Sequence, residues 1–332
     1  MNKPKALVLP PARRLDSVCP REVRELIENY FDAEFNKTGG DLSKEEQDAL
    51  LADKESVFTS WGSPILDAES LAKAPALKYV GHAAGTVKGR VPFEAFARGV
   101  RVFSAAGRIA DSVADWCFAA IASMLRLFPT FDGDLHGGAV WGRGDLRGME
   151  LTGMKIGVVS LSSTARALIP LLAPFRCDIA AYDPYAGPAL AEKLGVRLAP
   201  LEEVMSQPVV SVHLPQLPAT KGILTKELLA RIPDGGLFVN SSRASVLDED
   251  ALVAELVSGR IRAALDVFNV EPLPLDHPLR KLPNVLLTPH VAGATVQSYQ
   301  ALMRCVVEDI INAIEGRPTR YEIDPARWEI LA

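Results

Sequence analysis

The sequence has little of what marks a secreted, membrane-spanning or nucleic-acid-binding protein. Four cysteines occur in 332 residues, Cys19, Cys117, Cys177 and Cys305, and none forms a C-x-x-C pair. Such scatter argues against a disulfide framework or a thiolate metal site and fits reduced thiols in a cytoplasm. Cys117 and Cys305 fall in apolar helical patterns, where burial is the expected role. No apolar run approaches the roughly 20 residues that a membrane-spanning helix needs. Positive charge is also short: 36 Lys and Arg stand against 41 Asp and Glu, a formal charge of −5. A nucleic-acid footprint would instead show a basic patch or stripe. Internal repeats and low-complexity segments are missing. The opening stretch MNKPKALVLPPARR has a short apolar core broken by Pro10 and Pro11, and reads as a first strand and turn, not as a secretory leader.

What is present is the balance of a soluble globular protein, 48% apolar and 23% charged, with length for two ordinary domains. Strand-like runs alternate with amphipathic stretches, the pattern of parallel α/β sheets. A first series lies at 6–10, 56–61, 77–82 and 100–105. A helix follows over about 111–127, then the Gly-rich loop GDLHGGAVWGRGDLRG at 133–148. A second series lies at 155–160, 177–183, 209–214, 236–241, 263–268 and 284–289. A periodic helix over 298–316 has Gly316 at its end. Two sheet-forming series separated by a helix imply two domains with a cleft between them. Periodicity alone leaves open whether the last helix rejoins the first.

Three polar residues stand at or just beyond strand C-termini, where parallel α/β sheets place ligands. They are Arg243 in FVNSSRASVLDEDAL, Glu271 in ALDVFNVEPLP and His290 in NVLLTPHVAGAT. Taken singly, each type is more often a surface arginine, a solvated acid or a packed histidine. Their succession after consecutive strands, among small residues, points to a site.

The segments SVHLPQLPATKGILTKELLARIPDGGLFVNSSRASVLDEDALVAEL, GRIRAALDVFNVEPLP and LPNVLLTPHVAGAT resemble the D-isomer-specific 2-hydroxyacid dehydrogenases. That family includes phosphoglycerate, glycerate and hydroxypyruvate-type reductases. A weaker likeness runs through LKYVGHAAGTVKGRV and GVRVFSAAGRIADSVADW, so it spans most of the chain. The resemblance implies two doubly wound parallel-sheet domains. One is a flavodoxin-like substrate domain over 1–106 and 295–332, the other a Rossmann NAD-binding domain over 107–294. It implies a cytoplasmic, NAD-dependent enzyme moving a hydride between NAD(H) and a small D-2-hydroxy or 2-oxo acid. Arg243 would pair with the substrate carboxylate, His290 would exchange a proton with the substrate oxygen, and Glu271 would hold the other ring nitrogen. Backbone amides of Ala84, Gly85 and Thr86 would also receive the carboxylate. Lys88, where relatives often carry an acid, is either a second anion contact or a solvated lysine. Ile109 departs from a common asparagine. His136 and Trp141 occupy the loop that, in the family, forms an arm reaching a partner subunit, which implies a homodimer, with Trp141 either lining the neighbour's site or packing as an ordinary aromatic; His82, His213 and His277 have no implied task.

A dinucleotide fingerprint needs G-x-G-x-x-G between a strand and a helix. In GVVSLSSTARAL the three positions are Ser160, Ser162 and Ala165. Ala165 adds one methyl. Ser160 is tolerable with negative backbone torsions. Ser162 aims its Cβ at the pyrophosphate. A helix N-terminus still offers free N–H groups to a phosphate, and Ser162, Ser163 and Thr164 add hydroxyls that either cap the helix or bond the phosphate. Arg166 either adds charge or faces solvent. Asp183 in IAAYDPY suits ribose hydroxyls, hence NAD, or starts a turn. The resemblance adds Leu214, Ser241, Ser242, Asp266 and Gly293 to the cofactor surroundings. The lost glycines keep a second function open, a non-catalytic NAD(H)- or metabolite-binding regulator on the same scaffold.

Overall fold

The computed structural model describes residues 3–141 and 144–331. Gly142 and Arg143, inside the expected Gly-rich loop, lie outside the described residues, as do Met1, Asn2 and Ala332. The chain divides into two compact units. One comprises residues up to Ile109 with those from Ala294 onward, and the other is Ala110–Gly293.

The first unit holds β1 (Lys5–Val8), β2 (Asp32–Phe35), β3 (Ser56–Thr59), β4 (Tyr79–His82) and β5 (Arg101–Ser104), all parallel, in the order β2-β1-β3-β4-β5. This is the doubly wound order of flavodoxin-like sheets. Side chains alternate between its faces: Ala6, Val8, Phe58 and Phe103 pack on one side, Leu7, Leu9, Val57 and Val102 on the other. Both faces are covered, so the strands read as continuous apolar runs. The helix Val296–Ile314 rejoins this unit, burying Leu302, Met303, Val306 and Ile310 against the first face. It ends where Gly316 takes a left-handed φ of 70°, the conformation in which helices stop on glycine. Ile109 packs its side chain on the same core.

The second unit holds seven parallel strands: β6 (Lys155–Val159), β7 (Asp178–Tyr182), β8 (Arg197–Leu198), β9 (Val209–Val212), β10 (Leu237–Asn240), β11 (Arg262–Leu265) and β12 (Val285–Leu287). Their order, β12-β11-β10-β9-β6-β7-β8, reverses direction between β6 and β9. That reversal is the topological switch point of a Rossmann sheet, beyond whose strand ends ligands bind. Gly157 inside β6 is obligatory, since a Cβ there would stand 2.1 Å from the Val204 carbonyl oxygen. The ten strands expected from apolar runs all form. β2 and β8, not expected, are short strands at sheet edges, whose half-exposed residues give no apolar run.

Among the described residues no helix is long and apolar enough to cross a membrane. Cys117 and Cys305 are buried, and burial pushes both thiols up to about 12. His82 and His213 are buried beside Thr59 Oγ1 and Ser211 Oγ respectively, and burial lowers each to about 4, so both stay neutral. His277 caps the short helix Pro278–Lys281 by accepting from Leu279 N–H.

Candidate active site

Arg243, Glu271 and His290 follow β10, β11 and β12 in turn, all in the second unit. Asn240 closes the apolar strand β10 and shapes the turn beyond it. Its Oδ1 accepts from Ser242 N–H and Oγ, and its Nδ2 donates to the Arg243 carbonyl at 3.0 Å. Arg243 is half-buried and makes no ion pair among the described residues; its Nη1 donates only to the neighbouring Ser242 carbonyl. Burial lowers the guanidinium's pKa and the nearby Glu271 charge only partly offsets it. A guanidinium in that state is poised for an anion, and its planar fork suits a carboxylate.

Glu271 accepts from Phe268 N–H at 3.0 Å through Oε1 and from His290 Nδ1 at 2.8 Å through Oε2. Burial pushes this carboxyl up, but the His290 and Phe268 hydrogen bonds and the charges of His290 and Arg243 outweigh it, so its pKa ends below the ordinary value. With Nδ1 directed at a carboxylate, Nε2 of His290 is the ring nitrogen left to exchange a proton with a ligand. The side chain of His290 is 51% exposed, and its backbone takes a left-handed φ of 55°.

That unusual loop is anchored from below by Asp266, which is 1% exposed. Its Oδ1 accepts from Thr288 Oγ1 and Val291 N–H, and its Oδ2 from Ala292 N–H at 2.9 Å. Asp266, expected near the cofactor, thus also holds the histidine loop. Gly293, next along, is half-buried. Ser241 is buried with its Oγ 3.1 Å from Cys117 Sγ. Leu214 follows β9, across the switch point from the serine loop.

At the serine loop, Ser160 does not meet the condition under which a serine fits the first fingerprint position without strain. It has a φ of 75°, the left-handed region in which glycine is favoured, not negative torsions. Its N–H donates to the Tyr182 carbonyl at 2.7 Å. Ser162 is regular (φ −63°, ψ 177°) and precedes the helix Ser163–Leu172 without a side-chain capping bond. The first-turn N–H groups therefore have no side-chain acceptor at the cap and face a phosphate-sized ligand's natural position at a helix N-terminus. Ser163 is exposed and Thr164 half-buried, while the Ala165 methyl is fully buried in the core, so the third fingerprint position keeps its close packing. Arg166 does not simply face solvent: it is half-buried, with Nε donating to the Leu161 carbonyl at 2.7 Å. Asp183 Oδ2 accepts from Leu161 N–H at 2.8 Å and Ser160 Oγ at 3.3 Å, and Oδ1 accepts from Tyr185 N–H at 2.8 Å. These features fit a dinucleotide with its pyrophosphate at the helix and its ribose at Asp183.

In the first unit, Ala84, Gly85 and Thr86 form the loop after β4. Ser104 Oγ donates to the Gly85 carbonyl at 2.6 Å, turning that peptide, and the three N–H groups have no protein acceptor among the described residues. Lys88 donates to the Glu329 carbonyl at 3.1 Å, on the C-terminal segment whose Trp328 packs on Phe93 and Phe96. His136 pairs with Asp132 at 3.5 Å on the exposed helix Phe128–His136.

Sequence reasoning missed Asn240 and the anchoring work of Asp266. Each is a lone polar residue closing or following a buried strand, a signal present in LFVN and AALD once the strand ends are known.

Residues 118–292 match the family described as D-isomer specific 2-hydroxyacid dehydrogenase, NAD binding domain. The chain is 36% identical over 253 residues to a D-3-phosphoglycerate dehydrogenase of Mycobacterium bovis, covering 76% of this chain and 48% of that protein. It is 30% identical to a glyoxylate reductase of Korarchaeum cryptofilum over 86% of this chain and 87% of that one. A phosphoglycerate oxidoreductase from Rhizobium etli superposes with a TM-score of 0.82 at 28% identity, over 97% and 99% of the two chains. The chain spans about half the length of the D-3-phosphoglycerate dehydrogenases it matches. With these matches and its two doubly wound sheets, the chain belongs to the D-isomer specific 2-hydroxyacid dehydrogenase family.

Proposed function

We propose that the protein is an NAD-dependent oxidoreductase acting on a small D-2-hydroxy or 2-oxo acid, with the second unit as its NAD-binding domain and the first as its substrate domain. The observation that carries this is the Glu271–His290 pair at 2.8 Å beside an arginine with no ion pair among the described residues. Arg243 binds the substrate carboxylate and draws electron density from the adjacent carbonyl. In the first unit, Ala84, Gly85 and Thr86 keep N–H groups without a protein acceptor among the described residues, which supports an anion-binding role for that loop. His290 gives a proton from Nε2 to the carbonyl oxygen in reduction and takes it from the hydroxyl in oxidation. Glu271 fixes the ring and leaves Nε2 to the substrate, a general acid–base arrangement worth about 10²–10⁴-fold in rate. NAD(H), when bound, supplies or accepts the hydride.

Asp183 supports NAD over NADP, because a carboxylate accepts from ribose hydroxyls and repels a 2′-phosphate. Ser162, Ser163 and Thr164 lie where the pyrophosphate meets the helix, and Leu214, Ser241, Ser242 and Gly293 line the strand ends around it. Phe128, Leu135, Val140 and Trp141 expose large apolar side chains along one helix and loop, Trp141 at 84% and Val140 at 97%. Such a run marks a protein contact, and supports a homodimer arm.

The test is oxidation of NADH with glyoxylate, hydroxypyruvate and a series of 2-oxo acids. Turnover with at least one, abolished in His290→Ala, is expected. Bound NADH with no turnover on any of them would overturn the proposal.

A further inference from the structure

We propose that Asp183 is a positioning residue for the serine loop as well as a ribose ligand, and that residue 160 thereby sets the affinity for the dinucleotide. The inference rests on the dinucleotide site proposed above.

Ser160 is held in a left-handed turn that an L-residue with a Cβ adopts at a cost. Its neighbours supply what a glycine would not need. Leu161 is gripped through both of its flanking peptides, its N–H by Asp183 Oδ2 at 2.8 Å and its carbonyl by Arg166 Nε at 2.7 Å. The Ser160 hydroxyl adds a longer bond to the same Oδ2, at 3.3 Å.

An ionised carboxylate offers about four acceptor directions. Leu161 N–H and Ser160 Oγ take the two of Oδ2, and Tyr185 N–H takes one of Oδ1. One direction is left for a ribose that carries two adjacent hydroxyl donors. Full ribose recognition therefore displaces the weakest partner, the serine hydroxyl, from the residue that braces the serine's own backbone. Glycine at 160 removes the competitor and the strain together. Alanine removes the competitor and keeps the strain.

The experiment compares wild type, Ser160→Gly, Ser160→Ala, Asp183→Ala, Asp183→Asn and Ser160→Gly/Asp183→Ala. Thermal melts are taken without nucleotide, and NADH affinity is read by calorimetric titration. Without nucleotide, Ser160→Gly is expected to melt higher than wild type. Asp183→Ala is expected to lose less melting temperature in the wild-type background than in the Ser160→Gly background, because losing the brace lets the strained serine relax while the glycine has no strain to release. Asp183→Asn, which keeps an acceptor for Leu161 N–H, loses less and serves if the alanine variant does not fold. NADH binds about 10-fold more tightly to Ser160→Gly and to Ser160→Ala, the scale of one hydrogen bond to a charged acceptor. Equal losses from Asp183→Ala in the two backgrounds would overturn the bracing role. Unchanged NADH affinity in both Ser160 variants would overturn the competition. Coupled melts in proteins that bind no NADH would leave the brace standing and refute the dinucleotide site itself.

Discussion

Asp266→Ala is the substitution whose cost the structure specifies most fully. The carboxylate is buried and accepts from Val291 N–H and Ala292 N–H, each at 2.9 Å, and from the Thr288 hydroxyl. Alanine leaves two backbone donors beneath the histidine loop without an acceptor, at about 1–3 kcal/mol for each group. Release from burying a charge offsets part of this, so a net loss of about 2–4 kcal/mol is expected. For a unit of this size, about 2–4 °C per kcal/mol makes that a fall of about 5–15 °C in the transition that carries the second unit. Asp266→Asn keeps one acceptor oxygen and should lose about half as much. Differential scanning calorimetry without nucleotide reads the effect free of any cofactor contact. Because His290 holds its left-handed backbone within the anchored segment, turnover should fall in parallel with stability. A melting temperature within about 2 °C of wild type, or full activity in the alanine variant, would refute the anchoring argument.

Arg243→Met should abolish substrate saturation yet leave the melting temperature unchanged or higher, because the half-buried guanidinium has no paired acid among the described residues. Arg243→Lys should lower kcat/KM by about 10–100-fold, the scale of one lost charge-assisted hydrogen bond, mainly through KM. Glu271 has a lowered carboxyl pKa, so its contribution to stability is fully present above the unfolded value, near 4.5, and is lost as pH falls through the folded value. Acid unfolding followed by circular dichroism should thus show a stability loss below that pH in wild type that Glu271→Gln lacks. Replacing Val140 and Trp141 with serine should shift the homodimer proposed above toward monomer in light scattering without unfolding either unit, since both side chains are almost wholly exposed.

The parallel sheets were legible because their central strands are buried on both faces, so ALVLP, KIGVVS and GLFVNS read as apolar runs without tertiary knowledge. β2 and β8 were not, since edge strands with half-exposed residues leave no such run. Arg243, Glu271 and His290 were legible as residue types placed after strands. That Glu271 meets Nδ1, and that Asp266 holds the loop, are facts of three-dimensional closure. The sign of φ at Ser160 was hidden for the same reason. Nothing local to SLSST demands a left-handed serine; the demand comes from the bonds to Tyr182 and Asp183, some twenty residues on.

The central claim is hydride transfer to a 2-oxo acid with Arg243, Glu271 and His290 as its machinery. Incubating the protein with NADH deuterated at the reactive nicotinamide carbon and a 2-oxo acid, then weighing the product by mass spectrometry, tests it most directly. The account predicts deuterium at C2 of a D-2-hydroxy acid, with the rate of labelling reduced about 10²–10⁴-fold in His290→Ala. Labelled NADH that binds and is recovered intact beside unlabelled 2-oxo acid would contradict it.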